Sequence, residues 1–138
     1  MTVEISLHRS YDVPAQRIYD AWTDVEQLRE WLCPGGLWKG EVRVGAPYQM
    51  NMLYEGKTYE HHGRFLRLEP PSLVEFTWIQ QEGTYGTETI VRIEITDLGP
   101  SCEMTLTHTK LPDQKQADSH RGGWSDFLEI LAKHVGSK

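Results

Sequence analysis

His61, His62 and His108 are the side chains with the clearest capacity for proton chemistry, because imidazole alone has an ordinary pKa near neutrality. His61 and His62 are adjacent in a run of alternating residues, so they face opposite sides of a strand and cannot jointly clamp a metal. His61 shares parity with Gly63 and Phe65, and His108 with Met104 and Leu106, so both are predicted to point inward. Two inward imidazoles could act as a general base or as a hydrogen-bonding pair. Buried histidines satisfied by tyrosine or backbone are the plainer alternative. No Cys or carboxylate lies beside them at ligand spacing, so no metal site is expected. Cys33, next to Pro34, reads as a helix-end residue rather than a reactive thiol. Glu75 and Glu88 interrupt strands at outward parity and read as a solvated face. There is no glycine-rich phosphate loop and no nucleophile elbow, so no cofactor is expected and catalysis rests on the histidines alone.

A second set of residues suits binding rather than reaction. Tyr48, Met50, Met52 and Tyr54 share one face of a run; Phe65, Phe76 and Trp78 share faces of later ones. Trp124 and Leu128 join them from a helical segment, and Trp22, Trp31, Thr89, Val91 and Met104 extend the set. A solid core is one reading of such a stripe. Methionines adapt to varied shapes, however, and Tyr and Trp carry polar tips, which suits a pocket that orients an apolar molecule. The expectation is an enclosed, mainly apolar cavity for a lipid, a polyketide-like compound or another aromatic metabolite. Tyr48, Tyr54, His61 or His108 would fix its orientation.

These residues need elements to hold them. Val3 to His8 alternates as a half-buried strand, and Pro14 suits the first turn of a helix that carries Ile18, Ala21 and Trp22. Thr23-Asp24-Val25-Glu26 matches a capping box opening a second short helix with Leu28, Trp31 and Leu32 inward. Pro34-Gly35-Gly36 stops it. From Trp38 to Thr109 the period is two, with turns at Gly45-Ala46-Pro47, Glu55-Gly56-Lys57, Pro70-Pro71, Gly83 to Gly86 and Leu98-Gly99-Pro100, which predicts an antiparallel meander. After Pro112 the period returns to 3.6. Asp113 with Gln116 forms a capping box, and Ala117, His120 or Arg121, Trp124, Phe127, Leu128, Leu131 and Val135 make one stripe. A helix of about 22 residues would be roughly 33 Å long, enough to cross a whole sheet. Gly122-Gly123 inside it predicts a close approach or a bend. The expected fold is α+β: a curved antiparallel sheet of six to seven strands around a long C-terminal helix, with two short helices after the first strand, all within one domain spanning 1–138.

Bulk properties exclude several functions. The formal net charge is −6 and basic residues are scattered, so neither nucleic acid nor an anionic membrane surface is an expected partner. No apolar run reaches the roughly 20 residues a bilayer span needs, and the N-terminus lacks the signature of a signal peptide, so a cytoplasmic protein without membrane insertion is expected. Cys33 and Cys102, far apart, read as free thiols of a reducing compartment. Edge strands of such a sheet often pair, which makes a homodimer an available assembly.

The order of Tyr11-Asp12-Val13-Pro14, Ala21-Trp22-Thr23-Asp24, Leu28 with Trp31, Gly45 with Tyr48, Glu69-Pro70-Pro71, Phe76-Thr77-Trp78, Leu106-Thr107-His108 and Gly123-Trp124 resembles bacterial proteins of the heat-shock-protein-90 ATPase activator homologue family. That family falls in the START-like, or SRPBCC, superfamily, with the helix-grip fold of the major birch-pollen allergen. The resemblance runs from about Thr2 to Val135. It implies one of three roles: an apolar-ligand carrier, a cyclase- or hydratase-type enzyme using an inward histidine, or a module that binds a chaperone partner.

Overall fold

The computed structural model describes residues 2–137, with the side chain of Tyr54 outside that description. Strand β1 (Val3–Tyr11) is followed by helices α1 (Ala15–Thr23) and α2 (Val25–Trp31). Strands β2 (Leu37–Lys39), β3 (Pro47–Tyr54), β4 (Lys57–Glu69), β5 (Leu73–Trp78), β6 (Thr89–Asp97) and β7 (Cys102–Leu111) come next, and helix α3 (Gln114–Val135) closes the chain. The seven strands form one antiparallel sheet in the order β1-β7-β6-β5-β4-β3-β2. The meander therefore runs from β2 to β7, and β1 adds to its far edge.

Local chemistry explains the boundaries. Tyr54 pairs with Lys57 across Glu55-Gly56, both at positive φ (51° and 78°), which is the two-residue turn that matches strand twist. The cap of α2 is Asp24, which accepts from the Glu26 amide, and not Thr23; the Thr23 hydroxyl instead donates to Tyr19 O at 2.8 Å and finishes α1. Asp113 caps α3 by accepting from the Gln116 amide at 2.9 Å. Gly136, at φ 79°, ends α3 in the left-handed conformation.

β4 is long because it serves two neighbours. Its first part pairs with β3 and its last part with β5, and a bulge at Leu66 sets Phe65 opposite Phe76 but Arg67 opposite Glu75. One extra residue reverses side-chain parity. His61 and Phe65 thus face the core on one side of the bulge, while Leu68 packs on it from the other.

The core lies between the concave sheet and the three helices. Trp22 and Trp31 meet edge to face with centroids 4.8 Å apart, Trp38 stacks on Tyr48 at 5.1 Å, and Trp78 meets Trp124 at 5.0 Å. From α3, Ala117, Trp124, Phe127, Leu128, Leu131 and Val135 are buried, as the helical stripe predicts. Gly63 is where the sheet closes tightest: a Cβ there would lie 2.2 Å from Thr77 O. Its absence lets Tyr48 donate to that same carbonyl at 2.6 Å. The expected close approach at Gly122-Gly123 is not found: nothing lies within 4 Å of a Cβ at either position, and α3 runs unbroken through both. Cys33 and Cys102 are free and buried. Burial lifts the Cys33 thiol to about 11. No helix among the described residues is long and apolar enough to cross a membrane.

Candidate functional site

A cleft of about 340 Å³ opens between the β3–β4 hairpin, the end of β5 with the loop after it, and the N-terminal half of α3. Its volume falls at the lower end of the roughly 300–1,000 Å³ typical of small-molecule sites. The cleft is open to solvent, which corrects the expectation of an enclosed cavity. Met52, Glu55, Tyr59 and His61 line the hairpin side; Trp78, Gln80, Glu82 and Gly83 line the loop side; Gln116, Ser119, His120, Gly123, Trp124 and Phe127 line the helix side.

The loop wall is fastened from within. Thr84 is fully buried; its hydroxyl lies 2.7 Å from Thr87 O and 3.0 Å from Gln80 O, and it accepts from the Gln80 amide. The Gly83 amide donates to the Gln80 side-chain oxygen. Tyr85 donates to Asp113 at 2.8 Å and accepts from Gln116 at 3.3 Å, tying the loop to the start of α3. The Gln116 amide and the Tyr85 hydroxyl hold the Asp113 carboxyl below the usual carboxylate range. At the hairpin, Lys57 pairs with Glu82 and sits over the Tyr59 ring, joining hairpin to loop.

Three imidazoles lie at or beneath the cleft. The fully buried His108 sits in a closed relay. Trp124 Nε1 donates to His108 Nδ1 at 3.1 Å, so the His108 proton is on Nε2, which donates to Thr89 Oγ1 at 2.8 Å; Thr89 in turn donates to Trp78 O at 2.5 Å. Both nitrogens are occupied. Burial, together with the fields of His120 and His61, holds its pKa well below the ordinary value. His108 therefore fixes the orientation of Trp124 and has no lone pair left for a ligand.

His61 and His120 differ from it. His61 Nδ1 lies 3.2 Å from Tyr59 O, and His120 Nδ1 lies 2.8 Å from Gln116 O. A carbonyl only accepts, so each ring carries its proton on Nδ1. The His61 ring lies against Trp78 with centroids 4.3 Å apart, and the His120 ring meets His108 edge to face at 5.0 Å. Burial pushes His61 down to about 3 and lowers His120 as well, so both are neutral at pH 7.

Of the residues expected to form the site, Met52, His61, Trp78 and Trp124 come together on the cleft. Trp22, Tyr48, Met50, Phe65 and Phe76 surround instead a residual void of about 10 Å³, deeper in the core and too small for a ligand. The indole N–H groups of Trp22 and Trp78 are buried without a partner among the described residues. Trp31 donates from Nε1 to Ala21 O at 2.8 Å and packs wholly inside. Thr89, Val91, Met104, His108 and Leu128 are buried behind the walls; the Tyr54 side chain lies outside the described residues. His120 is the residue sequence reasoning underused. It stands four residues after Gln116 and four before Trp124, on the helical face that forms the cleft. The loop residues Gln80, Glu82 and Gly83 break the period of two and left no pattern to read. Among the described residues no three His, Cys, Asp or Glu side chains come together as a metal site.

The model of the family described as activator of Hsp90 ATPase homolog 1-like protein matches residues 12–136. No curated protein matches the chain. Among solved structures, protein CV1439 from Chromobacterium violaceum superposes with a TM-score of 0.82 at 28% identity, covering 96% of each chain. PFC0360w, an HSP90 activator from Plasmodium falciparum, gives 0.82 at 19% identity, covering 98% of this chain and 97% of its own. CalU16 from Micromonospora echinospora gives 0.76 at 23% identity, covering 96% of this chain and 75% of its own. With a seven-stranded sheet gripping a long C-terminal helix, and a family match across nearly its whole length, the chain belongs to the activator of Hsp90 ATPase homolog 1-like family and has the START-like helix-grip fold.

Proposed function

We propose that the protein binds a small aromatic or otherwise apolar molecule in the cleft between sheet and α3. The observation that carries this is the cleft itself: about 340 Å³, with Trp78, Trp124, Met52 and Phe127 offering apolar surface and His61 and His120 offering polar anchors. Burial of Trp22, Trp31, Tyr48, Phe65 and Phe76 behind the cleft makes its walls rigid, and a rigid site loses little entropy on binding. The His108 relay keeps Trp124 in one orientation.

The enzyme alternative has weaker support. A base whose conjugate acid has a pKa near 3 is a poor proton acceptor at neutral pH, and His61 is that base. The chaperone-partner alternative asks for a continuous exposed apolar patch. Among the described residues the exposed large apolar side chains are Val44, Leu53, Tyr85, Leu98 and Ile130, one from each of five segments of the chain.

Gly123 supplies the test. It lines the cleft, and nothing lies within 4 Å of a Cβ placed on it. Gly123→Leu should fill the cleft without disturbing the core, and should gain up to about 1 kcal/mol of helix stability. Native mass spectrometry of protein purified from cells, with extraction of any bound molecule, should show added mass in the wild type and none in Gly123→Leu. Equal added mass in both proteins would refute the assignment.

A further inference from the structure

The chemistry of the cleft walls narrows the ligand class. His61 and His120 both spend their ring proton on a backbone carbonyl, Tyr59 O at 3.2 Å and Gln116 O at 2.8 Å. Each neutral ring is left with a lone pair on Nε2, and no described hydrogen bond uses either Nε2. Gly83 keeps the His120 edge uncovered, because a Cβ there would lie 2.9 Å from His120 Cε1 and 3.3 Å from Nε2. The two imidazoles are therefore acceptors, while Tyr59, Gln80 and Ser119 on the same lining can also donate, so a hydroxyl that both donates and accepts fits the walls best. Among the described residues the charged side chains on the lining are Glu55 and Glu82, both acidic, with no Lys or Arg beside them. Lys57, on the β3–β4 hairpin, is paired with Glu82. The apolar surface a ring would lie against is formed by the indoles of Trp78 and Trp124, which pack on each other with centroids 5.0 Å apart.

We infer that the cleft selects an uncharged aromatic hydroxyl compound, of phenol or naphthol type, whose O–H donates to Nε2 of His61 or His120, and that it rejects carboxylates and phosphates. A ligand with no donor would leave both Nε2 lone pairs unmet, and an anion would lie beside the Glu55 carboxylate with Lys57 already engaged by Glu82. The inference rests on the cleft being the ligand site.

Three ligands sharing one ring system test it on the wild-type protein: 2-naphthol, 2-methoxynaphthalene and 2-naphthoate, titrated by calorimetry with amide NMR shifts to locate the site. 2-Naphthol should bind about three- to tenfold more tightly than the methyl ether, which lacks only the donor. It should bind at least about tenfold more tightly than the naphthoate. His120→Leu together with His61→Leu should erase the preference for naphthol over its ether. Binding of the ether or the naphthoate in the cleft as tightly as naphthol would overturn the ligand class and leave the cleft as the site. Binding of none of the three, or shifts confined to residues away from the cleft, would overturn both.

Discussion

Acid should destabilise this protein measurably between pH 7 and pH 5. Burial lowers the pKa of His61 to about 3 and that of His108 well below its ordinary value, while both return to about 6.5 in the unfolded chain. As pH falls below 6.5 the unfolded state takes up protons that the native state refuses. The stability these groups permit is thus present above pH 6.5 and is lost as pH falls towards the folded pKa values. Each fully shifted group contributes a slope of about 1.4 kcal/mol per pH unit. Between pH 7 and pH 5 His61 costs about 1.9 kcal/mol, since protonation in the unfolded chain sets in only near 6.5, and His108, held well below its ordinary value by burial, adds to the loss. His120, less buried and also lowered, acts in the same direction. A domain of this size has roughly 5–15 kcal/mol in total, so the loss is a large share. Urea denaturation at pH 7.0, 6.0, 5.5 and 5.0 measures the effect directly. His61→Gln should reduce the loss across the window by about 2 kcal/mol. A loss under about 1 kcal/mol between pH 7 and 5, or imidazole resonances of His61 and His108 titrating near pH 6.5 in the folded protein, would refute the buried neutral relay.

Three substitutions probe the scaffold behind the cleft. His108→Leu keeps the volume but strips Trp124 Nε1 of its acceptor and Thr89 of its donor, and should cost about 2–3 kcal/mol in urea denaturation; a cost below 0.5 would show that the relay contributes little. Gly63→Ala drives a methyl to within 2.2 Å of backbone at Thr77, and should cost on the order of 2–4 kcal/mol by the same measurement, because backbone cannot swing aside as a flexible side chain can. Tyr48→Phe deletes a 2.6 Å buried bond to that carbonyl and should cost about 1–2 kcal/mol without changing ligand affinity, read by calorimetry, since Tyr48 stands behind the cleft and not on it.

The architecture was legible because its signals are periodic. Alternation along β3, β6 and β7 and the 3.6-residue stripe of α3 both come from burial on one face, and burial is what shapes this sheet and helix. The bulge at Leu66 was not legible, because one inserted residue reverses parity without marking either flank, and Leu68 reads as outward until the bulge is seen. The cap of α2 was misplaced by one residue because Thr23 and Asp24 are both good caps, and only the Thr23 bond to Tyr19 O decides between them. The site was legible in part. Parity placed His61, Trp78 and Trp124 inward, but parity cannot distinguish a side chain that fills space from one that borders a void. Tyr48, Phe65 and Phe76 follow the same pattern as Trp78, yet interlock around almost nothing. His120 was assigned to the helical stripe without a role, since its function depends on the loop at Gly83, whose path no periodicity encodes.

Amide and indole NMR shifts on titration with 2-naphthol test the central claim most directly. If the cleft is the ligand site, saturable shifts will centre on Met52, His61, Trp78, Gly123 and Trp124, and Gly123→Leu will abolish them. Saturable shifts on the outer face of the sheet with these five unmoved, or shifts that survive Gly123→Leu, would contradict it.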